Sequence, residues 1–332
     1  MDFLQELPEQ IFRDILLRLP YKSQSNIKRL LKPARRLMES FHFYKDRIKF
    51  GLTKKYICFL EKPNRTSRHN SIRISIYDPV DQSYKRLPRF HRLPEVSYII
   101  NVNHKIVLLG AERDINPILI IYDLLSNTWK YGAEFPIPTP SGLGFACCAS
   151  PDGSIYIAGG LARSGLSLGM REAAVYKVDE DRWEILPKMY YGMYSCRGVF
   201  IEGMFYVLSL RNLGCQRFDP RTRKWTMMFD MSLPSLCCKV LYAFGRLIAY
   251  GIKGIMQYDW QGRIWRELDP IPGNLSFSSR ATVWCDRIFF CGSFGILRMY
   301  KPGAPSSERW ISLDVPNNFL EMNVVSITTI EI

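Results

Sequence analysis

Histidine is scarce. The chain has four in 332 residues, His42, His69, His91 and His104, and none has the spacing of a metal motif. Nine cysteines are present without one Cys-x2-Cys pair, which argues against a zinc ribbon. No metal and no cofactor is expected. No apolar run approaches the roughly 18 residues that span a bilayer, so no membrane partner is expected. The opening "MDFLQELPEQ" carries acids where an export signal has bases followed by an apolar run. The expected compartment is therefore cytoplasmic and/or nuclear, with the cysteines of "FACCAS" and "SLCCKV" reduced, buried and inert. What the chain has is a hydrophobic content of 47%, an aromatic content of 13% and a net charge of +14. The first two allow a large core. The third favours an acidic partner, although the bases are spread along the chain as in an ordinary solvated surface. No basic helix or aromatic platform accompanies the charge, so nucleic acid is not expected.

One phrase recurs: "YDPVDQSY" from Tyr77, "YDLLSNTW" from Tyr122, "YKVDEDRW" from Tyr176, "FDPRTRKW" from Phe218, "YDWQGRIW" from Tyr258 and "YKPGAPSSERW" from Tyr300. The leading aromatics step by 45, 54, 42, 40 and 42 residues, the size of one propeller blade. Each phrase is a polar turn between two strands. A second hairpin precedes most of them, turning at Asn103-His104, Asp152-Gly153, Glu202-Gly203, Phe244-Gly245 and Cys285-Asp286, between runs of β-rich alternation. Each unit thus holds four antiparallel strands. A lone blade cannot bury both faces, whereas blades stacked around an axis bury them against each other. Trp129, Trp183, Trp225, Trp265 and Trp310, with Tyr84 in the first unit, are then wedges between blades rather than a ligand box.

These units resemble the kelch repeat, which ends its second strand on Gly-Gly before a Tyr-Asp turn and a Trp. Gly159-Gly160 is the full double glycine, and Gly110-Ala111, Tyr250-Gly251 and Cys291-Gly292 are worn forms. The expected fold is mainly β, a six-bladed kelch-type β-propeller over residues 46–332. Its ring is closed by the C-terminal run "NVVSITTIEI", with "RIKF" (47–50) as the alternative closing strand.

Residues 1–45 have a helical period. "LPEQIFRDILLRLP" places Ile11, Ile15, Leu16 and Leu19 at helical spacing. Pro20 ends that helix, and Pro33 should kink or split the next one, "SNIKRLLKPARRLMESF". The segment resembles an F-box: Leu7-Pro8, Ile11, Ile15-Leu16 and Leu19-Pro20 match, and Leu30, Leu31 and Lys32 take the Val-Cys-Lys places. Ala34 stands where the pattern has tryptophan, and Gln24 and Ser25 replace apolar residues.

Together the two resemblances imply a plant-type F-box/kelch-repeat protein, a non-catalytic substrate receptor of a Skp–cullin–F-box ubiquitin ligase. They imply a Skp-family adaptor as partner, and through it a cullin. The implied adaptor-binding residues are Leu7, Pro8, Ile11, Ile15, Leu16, Leu19, Pro20, Leu30, Leu31 and Leu37, packing as a helix in a groove. The basic flank Lys28, Arg29, Lys32, Arg35 and Arg36 would speed encounter with an acidic adaptor. An acidic protein target is expected on loops between second and third strands, through Arg65, Arg68, Arg113, Arg163, Arg171, Arg211 and Lys253. The alternatives are a kelch scaffold without ligase contact, and a propeller enzyme. The enzyme is disfavoured because His69, His91 and His104 fall too far apart in blade position to share a copper site.

Overall fold

The computed structural model describes residues 7–332 apart from 64–72, 89–95, 111–117, 137–143, 162–168, 211–213, 230, 235–236, 253, 274, 276–279, 293–295 and 315–321. Six four-stranded antiparallel sheets form the blades. The second blade runs in chain order through Val96–Val102, Lys105–Gly110, Ile118–Asp123 and Thr128–Tyr131. Blades three to six repeat this, starting at Ala146, Cys196, Cys237 and Arg280. The first blade takes its inner strand from the far end of the chain. Met322–Glu331 pairs with Lys55–Pro63, followed by Arg73–Asp78 and Ser83–Arg86. Two further backbone bonds between Lys54 and Ile332, 2.9 and 3.0 Å, extend that pairing. The stretch 47–50 does not supply this strand, since Arg47 to Lys49 belong to a helix. The inner strands pack around the axis, with Met322–Glu331 touching both Val96–Val102 and Arg280–Trp284.

The core lies between blades and not within them. Six clusters of buried side chains each draw on two successive blades, and a seventh belongs to the helices. The aromatics of the repeated phrase pair directly across strands: Tyr77 with Tyr84, Tyr122 with Trp129, Tyr176 with Trp183, Phe218 with Trp225, Tyr258 with Trp265, Tyr300 with Trp310. Ring centroids in the five Trp pairs are 4.5–5.3 Å apart, the range of favourable aromatic contact. The indole N–H groups then lock neighbours together. Trp129, Trp183, Trp225 and Trp265 donate to the carbonyls of Pro88, Ala133, Pro187 and Ser232 in the preceding blade. A wedge that is also a donor fixes blade spacing as well as blade contact.

The turns show why the phrase is written as it is. The Asp after the leading aromatic accepts backbone N–H bonds two or three residues on, at Asp78, Asp123, Asp219 and Asp259, an Asx-turn. Five residues after that aromatic the backbone turns left-handed, at Gln82, Asn127, Asp181, Arg223 and Arg263. In the preceding hairpins Glu202-Gly203 and Phe244-Gly245 have positive φ at both residues, as a type I′ turn requires. Gly159 has φ +71°, and a Cβ there would lie 2.5 Å from the Met193 carbonyl. The double glycine lets the connection between blades three and four lie directly on backbone, where Gly160 N–H donates to Met193 at 2.8 Å.

The N-terminal segment forms four helices, α1 (Glu9–Arg18), α2 (Tyr21–Leu30), α3 (Lys32–Met38) and α4 (Phe41–Lys49). Pro33 does split the second predicted helix: the chain extends at Leu31 (φ −125°) and Pro33 enters the first turn of α3, where its missing N–H is harmless. Ser40 caps α4, accepting from Phe43 N–H at 3.2 Å. The helical core is Leu16, Leu17, Leu31, Ala34, Met38 and Phe43. Cys285 departs from the expectation of buried cysteines: it sits exposed in the Cys285-Asp286 turn. Cys58, Cys196, Cys215 and Cys291 are buried, whereas Cys147 and Cys148 of "FACCAS" are half-buried, and burial pushes the Cys196 and Cys291 thiols up to about 12.

Candidate functional site

The helical unit is fastened to one edge of the wheel. Tyr21 on α2 packs its ring 6.4 Å from Tyr56. Burial, and then Tyr56, pushes the Tyr21 phenol up to about 12. Lys28 Nζ donates to the Leu125 carbonyl at 2.6 Å, and burial lowers its pKa. Phe41 and Tyr44 on α4 bracket His104 at 5.2 and 5.4 Å, and Tyr44 Oη donates to Glu331 at 3.1 Å. His104 Nε2 stands 3.4 Å from Asp123 Oδ2. Burial raises the Asp123 carboxyl, but hydrogen bonds from His104, Ser126 and Leu125 outweigh it and bring it down to about 2. His104 and Leu125 lie in the first-to-second and third-to-fourth turns of blade two. Antiparallel geometry puts the second-to-third loops at the opposite end of the strands. The helices and the loop face therefore occupy opposite sides of the propeller.

The ten residues expected to meet an adaptor divide into two groups. Leu16 and Leu31 are buried, and Leu7, Leu19 and Leu37 half-buried. Leu16 and Leu31 form the helical core, with Leu19 and Leu37 packed against it. Pro8, Pro20, Ile11 (49% exposed), Ile15 (41%) and Leu30 (59%) face outward. The turn of α1 that faces inward carries Leu16 and Leu17, so the Ile11–Ile15 pair at i, i+4 forms an outer stripe. Of the basic flank, Lys28 is engaged with the propeller, Arg29 with Asn26 and Arg35 with Glu39.

Arg47 went unrecognised as a key residue in the sequence. It is buried, and Nη1 donates to the carbonyls of Leu17 and Leu19 at 2.6 and 2.8 Å, with Nη2 on Leu52. Burial lowers its pKa. It neutralises the negative end of α1. Gln24 is likewise buried and donates to Leu19 at 3.2 Å, which gives the polar residue in an apolar place a structural job.

On the loop face, Arg65, Arg68, Arg113, Arg163, Arg211 and Lys253 lie outside the described residues. Arg171 is described, and its Nε–H donates to Met189 at 2.7 Å. Two arginines missed by the loop reading sit on inner strands at that same end. Arg280 of blade six donates to Val325, and burial, opposed by Tyr250 and Cys291 and aided by the Arg197 cation of blade four, lowers its pKa. A strand pattern alone does not mark them, because inner-strand residues face either a neighbouring blade or the axis.

No protein-family model matches the chain. Similarity to individual proteins does. One F-box/kelch-repeat protein of Arabidopsis thaliana is 25% identical over 271 residues, 68% of this chain and 64% of its own length. Another, SKIP20, is 23% identical over 279 residues, covering 68% and 66%. Kelch-like protein 23 of Homo sapiens is 26% identical over 202 residues, 57% of this chain and 33% of that protein. The chain spans a little under two thirds of the length of these two Arabidopsis proteins and of a third. With six kelch-type blades behind a helical segment that fits an F-box, the chain is a homologue of the Arabidopsis F-box/kelch-repeat proteins.

Proposed function

We propose that this chain is the substrate-receptor subunit of a Skp–cullin–F-box ubiquitin ligase, acting without bond chemistry of its own. In this reading the helical unit holds a Skp-family adaptor, and through it a cullin, while the propeller holds the protein to be ubiquitinated. The gain is effective concentration: the target is kept near a ubiquitin-loaded enzyme. The observation that carries the reading is the uncovered Ile11–Ile15 stripe, with Pro8 and Leu30 also outward, on a helical unit already fastened to the propeller by its other faces. An apolar stripe of this kind is expected to be covered by a partner. The docking residues then narrow to Pro8, Ile11, Ile15, Pro20 and Leu30, with Leu16 and Leu31 acting through the fold. A cytoplasmic or nuclear location goes with this reading.

The target side is the loop face. Arg197 and Arg280 at its inner edge, with Arg171 at its rim, favour an acidic segment.

Capture of a purified Skp-family adaptor by the full chain tests the adaptor arm. Ile11→Asp with Ile15→Asp should reduce capture more than tenfold with the fold retained. Undiminished capture refutes this docking stripe, and no capture by the unaltered chain favours a scaffold.

A further inference from the structure

The six repeats serve as one another's controls, and the rim between blades four and five breaks the pattern twice. Two residues after the leading aromatic, Leu124 and Val178 are buried. At the same place in blade five stands Trp260, 41% exposed. Four residues after the outer tryptophan, the other blades have Ala133, Pro187 and Asp269, whereas blade four has Phe229, 77% exposed. Both departures open on one groove of about 590 Å³, which Met227, Tyr206, Arg217 and Arg263 also line. The Trp260 ring meets Tyr206 edge-on at 6.2 Å, and Arg217 stands directly opposite Tyr206 on the paired strand, so one wall belongs to the sheet. Among the described residues, the charged side chains lining the groove are both arginines.

We propose that this groove is a peptide-docking site for an acidic segment of a partner protein, with one large apolar side chain seated between Phe229, Trp260 and Met227 and its flanking carboxylates on Arg217 and Arg263. Complementary charge selects the occupant: a +14 chain repels its own kind, and two arginines beside an aromatic slot match carboxylates beside an apolar anchor. The size suits one side chain and its neighbours. The site stands apart from the adaptor reading in place as well as logic. In a six-bladed ring the boundary between blades four and five lies opposite that between blades one and two, where the helices dock.

The test uses fluorescein-labelled ten-residue peptides with one Phe, Leu or Trp flanked by Glu at varied offsets, each with a Lys-for-Glu twin. Binding to the full chain is read by anisotropy at about 0.15 M salt. At least one Glu peptide should bind more than tenfold tighter than its twin. Phe229→Ser and Arg263→Glu should each weaken it about tenfold, with melting temperature unchanged and adaptor capture unaffected. Should Phe229→Ser unfold, Arg263→Glu on its exposed turn carries the test. Equal binding of twins, or indifference to Arg263→Glu, overturns the proposal. Self-association in sedimentation that Phe229→Ser abolishes also overturns it, by assigning the groove to a second copy. Failure of the adaptor reading leaves the anisotropy result untouched.

Discussion

Replacing Arg47 by Met should loosen the helical unit and leave the propeller intact. The guanidinium serves three carbonyls, those of Leu17, Leu19 and Leu52. Leu19 keeps a second donor in Gln24, so the substitution strands two. A hydrogen bond to a charged group is worth ~1.5–3 kcal/mol, which gives about 3 kcal/mol for the pair at the lower end. The helical unit, some forty residues at roughly 0.1 kcal/mol each, has about 4 kcal/mol to lose. The loss is thus of the same size as the unit's own stability, while the six inter-blade clusters contain no atom of Arg47. Hydrogen exchange by mass spectrometry separates the two. Amides of α1 should exchange about a hundredfold faster, since 1.4 kcal/mol is a factor of ten, and peptides from blades three and four should not change. Arg47→Lys should fall between, because one ammonium cannot span the fork of contacts. Protection of α1 within twofold of the original in Arg47→Met would refute the assignment of Arg47 as the clasp of this unit.

Other outcomes follow from single positions. Gly159→Ala combines a left-handed backbone (φ +71°) with a Cβ 2.5 Å from a carbonyl, and should destabilise by about 2–4 kcal/mol. Gly203→Ala, with φ +84° but open space around the new Cβ, should lose only about 1 kcal/mol. Equal losses in urea unfolding would show that the close approach is irrelevant. Asp123 is held at about 2, below its ordinary 3.8, so its stabilisation is present above pH ~4 and lost as pH falls toward 2. The melting temperature of Asp123→Asn should therefore drop less between pH 4.5 and 2.5 than that of the unaltered chain, and identical drops would refute the assignment.

Much of the wheel was legible because each blade solves the same packing problem. Five aromatic pairs seven residues apart, and a sixth ten apart, announce six hairpins, and in the first five the position of a left-handed residue can be counted from the leading aromatic even where the residue is Gln82 or Arg223. Two things were not legible. The direction of α1 around its axis was one: Leu16 and Leu17 are adjacent in sequence, and a stripe of Ile and Leu does not say which edge turns inward until α3 and α4 are in place. The other was α4 itself. "FHFYKDRIKF" alternates well enough to pass for strand at its end, and only the Ser40 cap and the carbonyls awaiting Arg47 mark it as helix.

The fastening of the helices to blades one and two bears on how a receptor of the proposed kind would work. Four side chains from two helices grip the propeller: Tyr21 and Lys28 from α2, Phe41 and Tyr44 from α4. Tyr44 and the closing strand meet at Glu331, which also takes a hydrogen bond from Thr53 at 2.5 Å. The strand that closes the ring therefore also carries one of the four contacts that seat the helices, so opening of the first blade would loosen their mount. A rigid mount fixes where a bound target sits relative to a bound adaptor, which a flexible linker would average over many positions. Loosening the mount without unfolding either part, as Tyr44→Phe with Lys28→Ala should, would leave adaptor and target binding intact while lowering ubiquitin transfer from the loaded enzyme to the target. Transfer undiminished in that double variant would mean that proximity alone suffices and that the mount serves stability only.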